Sequence, residues 1–261
     1  MALEPLEKGW IADYVHKYNL PHVNEISKKV VPKNTFYTRV GKRVLDIVFG
    51  TAAFIITLPV NIVLGICTLI DLGRPLFFLQ KRPGKDCKPF TIIKFRNMRE
   101  GVDKNGFWLP IEQRVTKFGA FVRRTSLDEL LNFVSIIKGD MSFIGPRPLA
   151  DLYLERYSDR HMMRHAVRPG LECPNVHRKG YSVGWNEKLE NDIWYVENVS
   201  FLVDCKMILL LVRMVFDRKT RKQHAEIGVG DFIGYDESGA AFGALEVPQK
   251  YLDLLRMSKG A

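Results

Sequence analysis

The chain has 261 residues, enough for one large or two small domains with a sizeable core. Lysine and arginine number 39 against 29 aspartates and glutamates, a formal net charge of +10 that favours anionic partners: nucleic acid, acidic lipid headgroups or phosphorylated substrates. Cys67, Cys87, Cys173 and Cys205 are far apart and form no CxxC pair, which argues against a disulfide framework or a zinc site and for reduced thiols.

The opening "MALEPLEKGW" carries acids and no apolar run, so it does not read as a signal peptide. Trp10, Tyr14 and Tyr18 recur at four-residue spacing, an aromatic helix face for a membrane interface or for the protein's own surface. Ile47 to Ile70 then gives 24 residues without a charge, above the length of about 18 that marks a membrane helix. Pro59 interrupts this run; it removes a backbone donor and predicts a kink or break, with Thr57 or Asn61 to meet the freed groups. Six bases precede the run within twenty residues and five follow it, whereas a spanning helix concentrates them on one side. Charge alone leaves a kinked spanning helix and a re-entrant hairpin both open.

Next, "PLFFLQ" and "PFTIIKF" are apolar runs joined through Pro83-Gly84, the pattern of a small β-hairpin. The stretch "TSLDELLN" reads as a helix start, with Ser126 and Glu129 spaced as a capping box and Gly139 as the stop. That ordinary reading leaves Asp128 idle. Beside Arg123, a first-turn aspartate is instead held ionised and oriented, as a nucleophile or magnesium ligand requires. Lys94 and Arg96 in "KFRNM", and Arg147 in the proline-locked "GPRP", are candidate grips for phosphate oxygens, each weighed against a solvated surface role.

A helical stretch through "LYLERYSDRHMMRHAV" closes at Pro169-Gly170, and "WNEKLEND" to "DRKTRK" reads as one or two helices. Its uncharged run Met207–Val212 is too short to span a membrane and lies along it or fills the core. From about Thr220 the rising charge and glycine content suggest an irregular extension. No internal repeat and no glycine-rich nucleotide fingerprint is present.

In order, "KRVLDIVFG", "LPVN", "QKRPG", "IIKFRNM", "RRTSLDEL", "KGDMSFIGPRPL", "RHAVRPG" and "WNEKLENDIWYVEN" resemble the bacterial sugar transferase family of monotopic polyprenyl-phosphate phosphoglycosyl transferases. The resemblance runs from about Lys42 to Phe216. It implies an α+β, mostly helical fold with a re-entrant membrane hairpin broken at Pro59, interfacial helices and a small β-hairpin. The implied plan is an N-terminal interfacial or partner segment (1–41), a re-entrant helix (42–74), a catalytic domain (75–218) and a C-terminal extension (219–261).

By the same resemblance, Asp128 attacks the β-phosphate of a UDP-sugar and releases UMP. Polyprenyl phosphate then takes the phosphosugar, and Mg²⁺ sits at Asp128 and Glu129. Lys94, Arg123, Arg147 with Pro148, Arg178 and Asp192 are the implied substrate and phosphate residues. The implied place is the cytoplasmic face of a bacterial inner membrane, where the product feeds glycan assembly.

The sequence departs from the family at Leu131-Asn132, where relatives carry Pro-Gln, and at "PGLECPNVHRKG", where Glu172, Cys173 and Pro174 replace a small flexible loop. Cys173 reads as a packing thiol and His177 as a loop side chain. The unmatched termini dock a partner glycosyltransferase or shield the core. The altered loop and these termini keep a second reading open, a catalytically inactive membrane scaffold. A nucleic-acid binder is suggested by charge alone, and no aromatic-interleaved basic groove supports it.

Overall fold

A computed structural model describes residues 3–102, 104, 109–177, 182, 184–216 and 230–260. They are mostly helical, with three two-stranded sheets and one long apolar helix.

Helix α1 (Pro5–Tyr18) starts with a capping box, the Glu4 amide donating to Glu7 Oε2 at 2.8 Å, and has proline in its first turn, where a missing donor is harmless. After α2 (Leu20–Ile26), the chain enters α3 (Lys42–Leu72), 31 residues that run through Pro59 as a single helical element. Thr57 Oγ1 donates to the carbonyls of Ala53 (2.8 Å) and Phe54 (3.3 Å), not to that of Ile55, whose donor Pro59 removes. Asn61 is buried, and neither of its amide atoms has a protein partner among the described residues.

Both ends of α3 are fastened to the rest of the protein. At the start, Arg43 donates to the carbonyls of Ile136 and Ile137, both at 2.6 Å, and Asp46 accepts from Ser142 Oγ at 2.9 Å. At the end, Leu64 packs in a core with Phe95 and Val122, Thr116 donates to Asp71 at 2.5 Å, and the Arg96 guanidinium donates to the Leu72 carbonyl. Between them Ile55, Ile56, Ile62 and Val63 are exposed. Arg96 is therefore a clamp on the helix end, which corrects its reading as a phosphate grip.

Strands β1 (Phe77–Pro83) and β2 (Pro89–Phe95) form the expected antiparallel hairpin, with Pro83 opposite Pro89 across the Gly84 turn. Helices α4 (Ile111–Arg114), α5 (Lys117–Thr125) and α6 (Asn132–Lys138) follow, and Gly139 ends α6 in the left-handed conformation expected of it (φ 97°). Strands β3 (Ser142–Ile144) and β4 (Gly170–Glu172) pair in parallel.

Between those strands lie 3₁₀ turns at Asp151–Arg156 and Met163–Ala166 and the one-turn α7 (Asp159–Met162), where one helix was expected. The chain is extended at Tyr157 and Ser158, and Ser158 caps the next turn by accepting from the His161 amide. Helices α8 (Gly184–Asn198) and α9 (Phe201–Phe216) break at Val199-Ser200; α9 buries Met207 and exposes Leu202 and Leu209.

The C-terminal residues correct the expectation of an irregular extension. Strands β5 (Phe232–Tyr235) and β6 (Ala241–Gly243) pair, and α10 (Gln249–Gly260) follows. Together with α1 they enclose a core of Ile11, Ala12, Val15, Ile233, Phe242, Ala244, Tyr251 and Leu255. Trp10 and Tyr14 pack against this core, so the aromatic spacing of α1 serves the protein's own surface.

Candidate active site

The stretch "TSLDELLN" lies between two helices instead of starting one. Helix α5 is capped by Thr116, whose Oγ1 accepts from the Gly119 amide at 2.9 Å. It ends at Ser126, which takes a left-handed conformation (φ 55°, ψ 24°), and a 3₁₀ turn then covers Leu127–Glu129. Ser126 makes no side-chain cap bond, so the capping box does not form. The reversal turns Asp128 inward and frees Glu129 for partners far away in the chain.

Those partners come from two other elements. From β2, Lys94 Nζ donates to Glu129 Oε1 at 2.6 Å, and from the "GPRP" loop Arg147 Nη2 donates to the same oxygen at 2.5 Å. Arg147 Nη1 reaches the Leu171 carbonyl on β4 at 2.8 Å, and Glu172 Oε2 lies 3.8 Å from it. This approach depends on Gly170, where a Cβ would lie 2.2 Å from the Gly145 nitrogen. Asp128 is buried and accepts from Asn97 Nδ2 at 2.9 Å. Gly119 is needed there as well, because a Cβ would fall 1.9 Å from the Asn97 carbonyl oxygen.

The two carboxyls titrate in opposite directions. Burial pushes Asp128 up, Lys94 draws it back and Glu129 adds repulsion, and the result lies above its ordinary value. Arg123 also draws it down, by less than burial pushes it up. Burial also pushes Glu129 up, but Arg147 and Lys94 outweigh it and hold the group below its ordinary value.

Asp192 is buried and sits behind the site. Arg164 donates to its Oδ2 from Nε at 3.0 Å and from Nη2 at 2.7 Å, and Nη2 also donates to the Arg147 carbonyl at 2.8 Å. Asp192 thus braces Arg147 through Arg164. Arg123 is exposed on the last turn of α5, and Arg178 lies outside the described residues. Cys173 is buried, with its thiol pushed well up by burial, as a packing thiol should be. All four cysteines are free.

Two cavities, of about 480 and 410 Å³, share Glu129, Arg147, Leu171 and Lys188 in their walls; Lys94 and Pro148 line the first and Asp192 the second. Asp128 lines neither. Lys188, Asn97 and Arg164 are the residues that motif reading missed. Lys188 precedes Asp192 by one helical turn on α8, a spacing that places both on one face, and its ammonium lies 5.1 Å from the centre of the Trp185 ring.

The carboxylate pair also bears on magnesium. Lys94 and Arg147 both use Oε1 of Glu129, and no bond to its Oε2 is described. Two adjacent carboxylates fit an ion that takes one or two such ligands and completes its shell with phosphate oxygens and water. Among the described residues there is no cluster of three or more His, Cys, Asp or Glu side chains that could hold a metal without such help.

Lysine and arginine thus meet at the junction of two cavities, in a protein that exposes a long apolar helix with both ends held beside them. This fold and site define a membrane-associated enzyme acting on anionic substrates. The chain belongs to the bacterial sugar transferase family, whose model matches residues 37–218.

Among its relatives, the uncharacterized sugar transferase EpsL of Bacillus subtilis (strain 168) is 38% identical over 195 residues, 74% of this chain and 96% of that protein. The UDP-N-acetylgalactosamine-undecaprenyl-phosphate N-acetylgalactosaminephosphotransferase of Aeromonas hydrophila is 32% identical over 67% of this chain and 43% of its own length. The UDP-glucose:undecaprenyl-phosphate glucose-1-phosphate transferase of Escherichia coli (strain K12) is 34% identical over 69% of this chain and 41% of its own length. The chain spans less than half of these two longer relatives.

Proposed function

We propose that this protein transfers a sugar 1-phosphate from a UDP-sugar to a polyprenyl phosphate, undecaprenyl phosphate in bacteria, at the cytoplasmic face of the inner membrane. The observation that carries this reading is the grip of Lys94 and Arg147 on Glu129, next to Asp128, where two cavities meet in a chain of this family. The activities in the names of the longer relatives support it.

Asp128 is the nucleophile. Its carboxylate oxygen forms a bond to the β-phosphorus, the bond from that phosphorus to the bridging oxygen breaks, and UMP leaves with the electron pair. An oxygen of the lipid phosphate then attacks the same phosphorus and restores the carboxylate. The product is a polyprenyl-diphospho-sugar, the acceptor for a following glycosyltransferase. A covalent relay suits two polyanions that repel one another and occupy different phases.

Lys94, Arg147 and Lys188 offset charge on the phosphoryl oxygens, the main source of catalysis in phosphoryl transfer. Mg²⁺ held at Asp128 and Glu129 supplies further charge neutralisation there. Binding also has to open the shielded face of Asp128, because apo geometry places only Glu129 in the cavity walls.

The membrane segment is re-entrant in this proposal. The attachment of both ends of α3 to one body supports it, since a helix crossing about 30 Å of hydrocarbon carries its ends to opposite faces. Basic flanks then hold the protein against the anionic leaflet at the depth of the lipid phosphate.

The test is purified protein in lipid nanodiscs with Mg²⁺, undecaprenyl phosphate and a panel of UDP-sugars, assayed for UMP and trapped for mass spectrometry. Release of UMP with a phosphosugar adduct on Asp128 is expected. An adduct on Glu129 would reassign the nucleophile. No UMP from any donor would leave the scaffold reading, which the altered loop from Leu171 favours.

A further inference from the structure

The family match ends at residue 218, yet the first cavity is partly walled by Gly230 and Asp231. These two residues lead into β5 of the terminal lobe and are fixed from several sides. Trp185 Nε1 donates to the Gly230 carbonyl at 3.3 Å, and Ala244 N donates to the Asp231 carbonyl at 2.8 Å. Arg156 Nη1 donates to the Phe232 carbonyl at 2.5 Å, and Phe232 is fully buried against Tyr153, Tyr157 and Trp185.

The Asp231 side chain remains 56% exposed. Lys8 of α1 donates to its Oδ2 at 2.8 Å, and the Tyr153 hydroxyl lies 3.5 Å from Oδ1. The first cavity therefore joins two clusters of different chemistry. One is Lys94, Glu129 and Arg147, bonded to one another and suited to phosphate. The other is Asp231, Tyr153 and Trp185, a carboxylate with aromatic rings, the usual means of holding a polyhydroxylated ring.

We propose that the terminal lobe reads the sugar of the donor, with Asp231 accepting from a sugar hydroxyl. This rests on the UDP-sugar reading above and assigns part of the same cavity. Glu129 sits among phosphate-binding bases because Lys94 and Arg147 both neutralise it, whereas Asp231 pairs only with Lys8 among the described residues. A half-exposed carboxylate of this kind is a strong acceptor for hydroxyls and suits the sugar better than the pyrophosphate. A site built to bond one hydroxyl discriminates against an epimer that points it elsewhere, because the carboxylate then loses its donor. Sugar choice would thus be set in part by Asp231, a residue outside the family match, held in place by both termini.

The full chain in nanodiscs is compared with Asp231→Asn and Asp231→Ala across UDP-glucose, UDP-galactose and their N-acetylamino counterparts. Asp231 is exposed on a braced turn, so both variants should melt with the wild type. Expected is a fall of tenfold or more in the ratio of kcat/KM between the best donor and its C4 epimer, with Asp231→Ala the larger effect. Ratios within twofold of wild type, or an equal loss on every donor, would overturn the proposal. If the wild type releases no UMP, the activity reading fails separately; the ratio of Kd values for the same donors, by calorimetry, then decides this one by the same tenfold and twofold limits.

Discussion

At the scale of single residues, Asp128 and Glu129 are adjacent in sequence and opposite in electrostatics. Asp128 is raised by burial, so its contribution to stability is fully present below the ordinary aspartate value and is lost as pH rises through the folded value. At pH 7 its charge therefore costs stability, and Asp128→Asn removes that charge while keeping an acceptor for Asn97. Glu129 is held down by Arg147 and Lys94, so its contribution is present at neutral pH and is lost as pH falls through the lowered value. Glu129→Gln leaves two partly buried cations without their anion, a cost of about 1–3 kcal/mol.

The expected outcome is a contrast. Asp128→Asn melts at or above the wild type at pH 7 and loses UMP release by about 10⁴-fold or more, whereas Glu129→Gln loses activity and melts lower. Melting scans at pH 7 and near pH 4 check the sign, since the Asp128→Asn advantage should shrink in acid. In wild type, the acid limb of kcat/KM should lie above the ordinary aspartate value. A lower melting point for Asp128→Asn at pH 7 would contradict the burial argument.

At the scale of elements, α3 decides how the enzyme meets its lipid substrate. Its first turns lie on α6 and β3 and its last turns on β2 and α5, with exposed aliphatic side chains between. In a cysteine-free background, Val40→Cys and Lys81→Cys, one on each side of α3 and both exposed, should react with an impermeant maleimide only once the cytoplasmic face is opened. Labelling of the two positions from opposite faces would mean a spanning helix.

Elements whose stops are local were legible in the sequence. Gly139 ends α6 and the Gly84 turn closes β1 on β2, because positive φ and turn chemistry belong to one or two residues. The join at Ser126 was not legible, because its conformation is tied to contacts of Asp128 and Glu129 with Asn97, Lys94 and Arg147, 18 to 35 residues away. The pairing of Arg164 with Asp192, 28 residues apart, carries no periodic signal either. The C-terminal strands were missed because β5 has four residues and β6 three, too short for alternation to show.

At the scale of the whole molecule, the two chain ends form one lobe that rests on the catalytic part. Lys259 pairs with Glu7 at 2.7 Å and Lys8 with Asp231 at 2.8 Å, but exposed pairs of this kind contribute little. The lobe is held by its core and by Asn19, whose buried Nδ2 donates to the Tyr235 carbonyl at 2.8 Å and the Tyr251 hydroxyl at 2.7 Å. Tyr251 is fully buried and stacks on Phe242 at 5.5 Å.

Removing the hydroxyl alone, in Tyr251→Phe, leaves one amide hydrogen of Asn19 without its acceptor at a cost of about 1–3 kcal/mol. Removing the ring, in Tyr251→Ala, adds a cavity and costs about 3–5 kcal/mol. Because the lobe also fixes Gly230 and Asp231, both changes should raise KM for the UDP-sugar before they lower kcat. Hydrogen exchange on Tyr251→Ala should show α1, β5 and α10 losing protection together, with α5 and α6 unchanged. Loss confined to α10 would mean that the two termini do not fold as one unit.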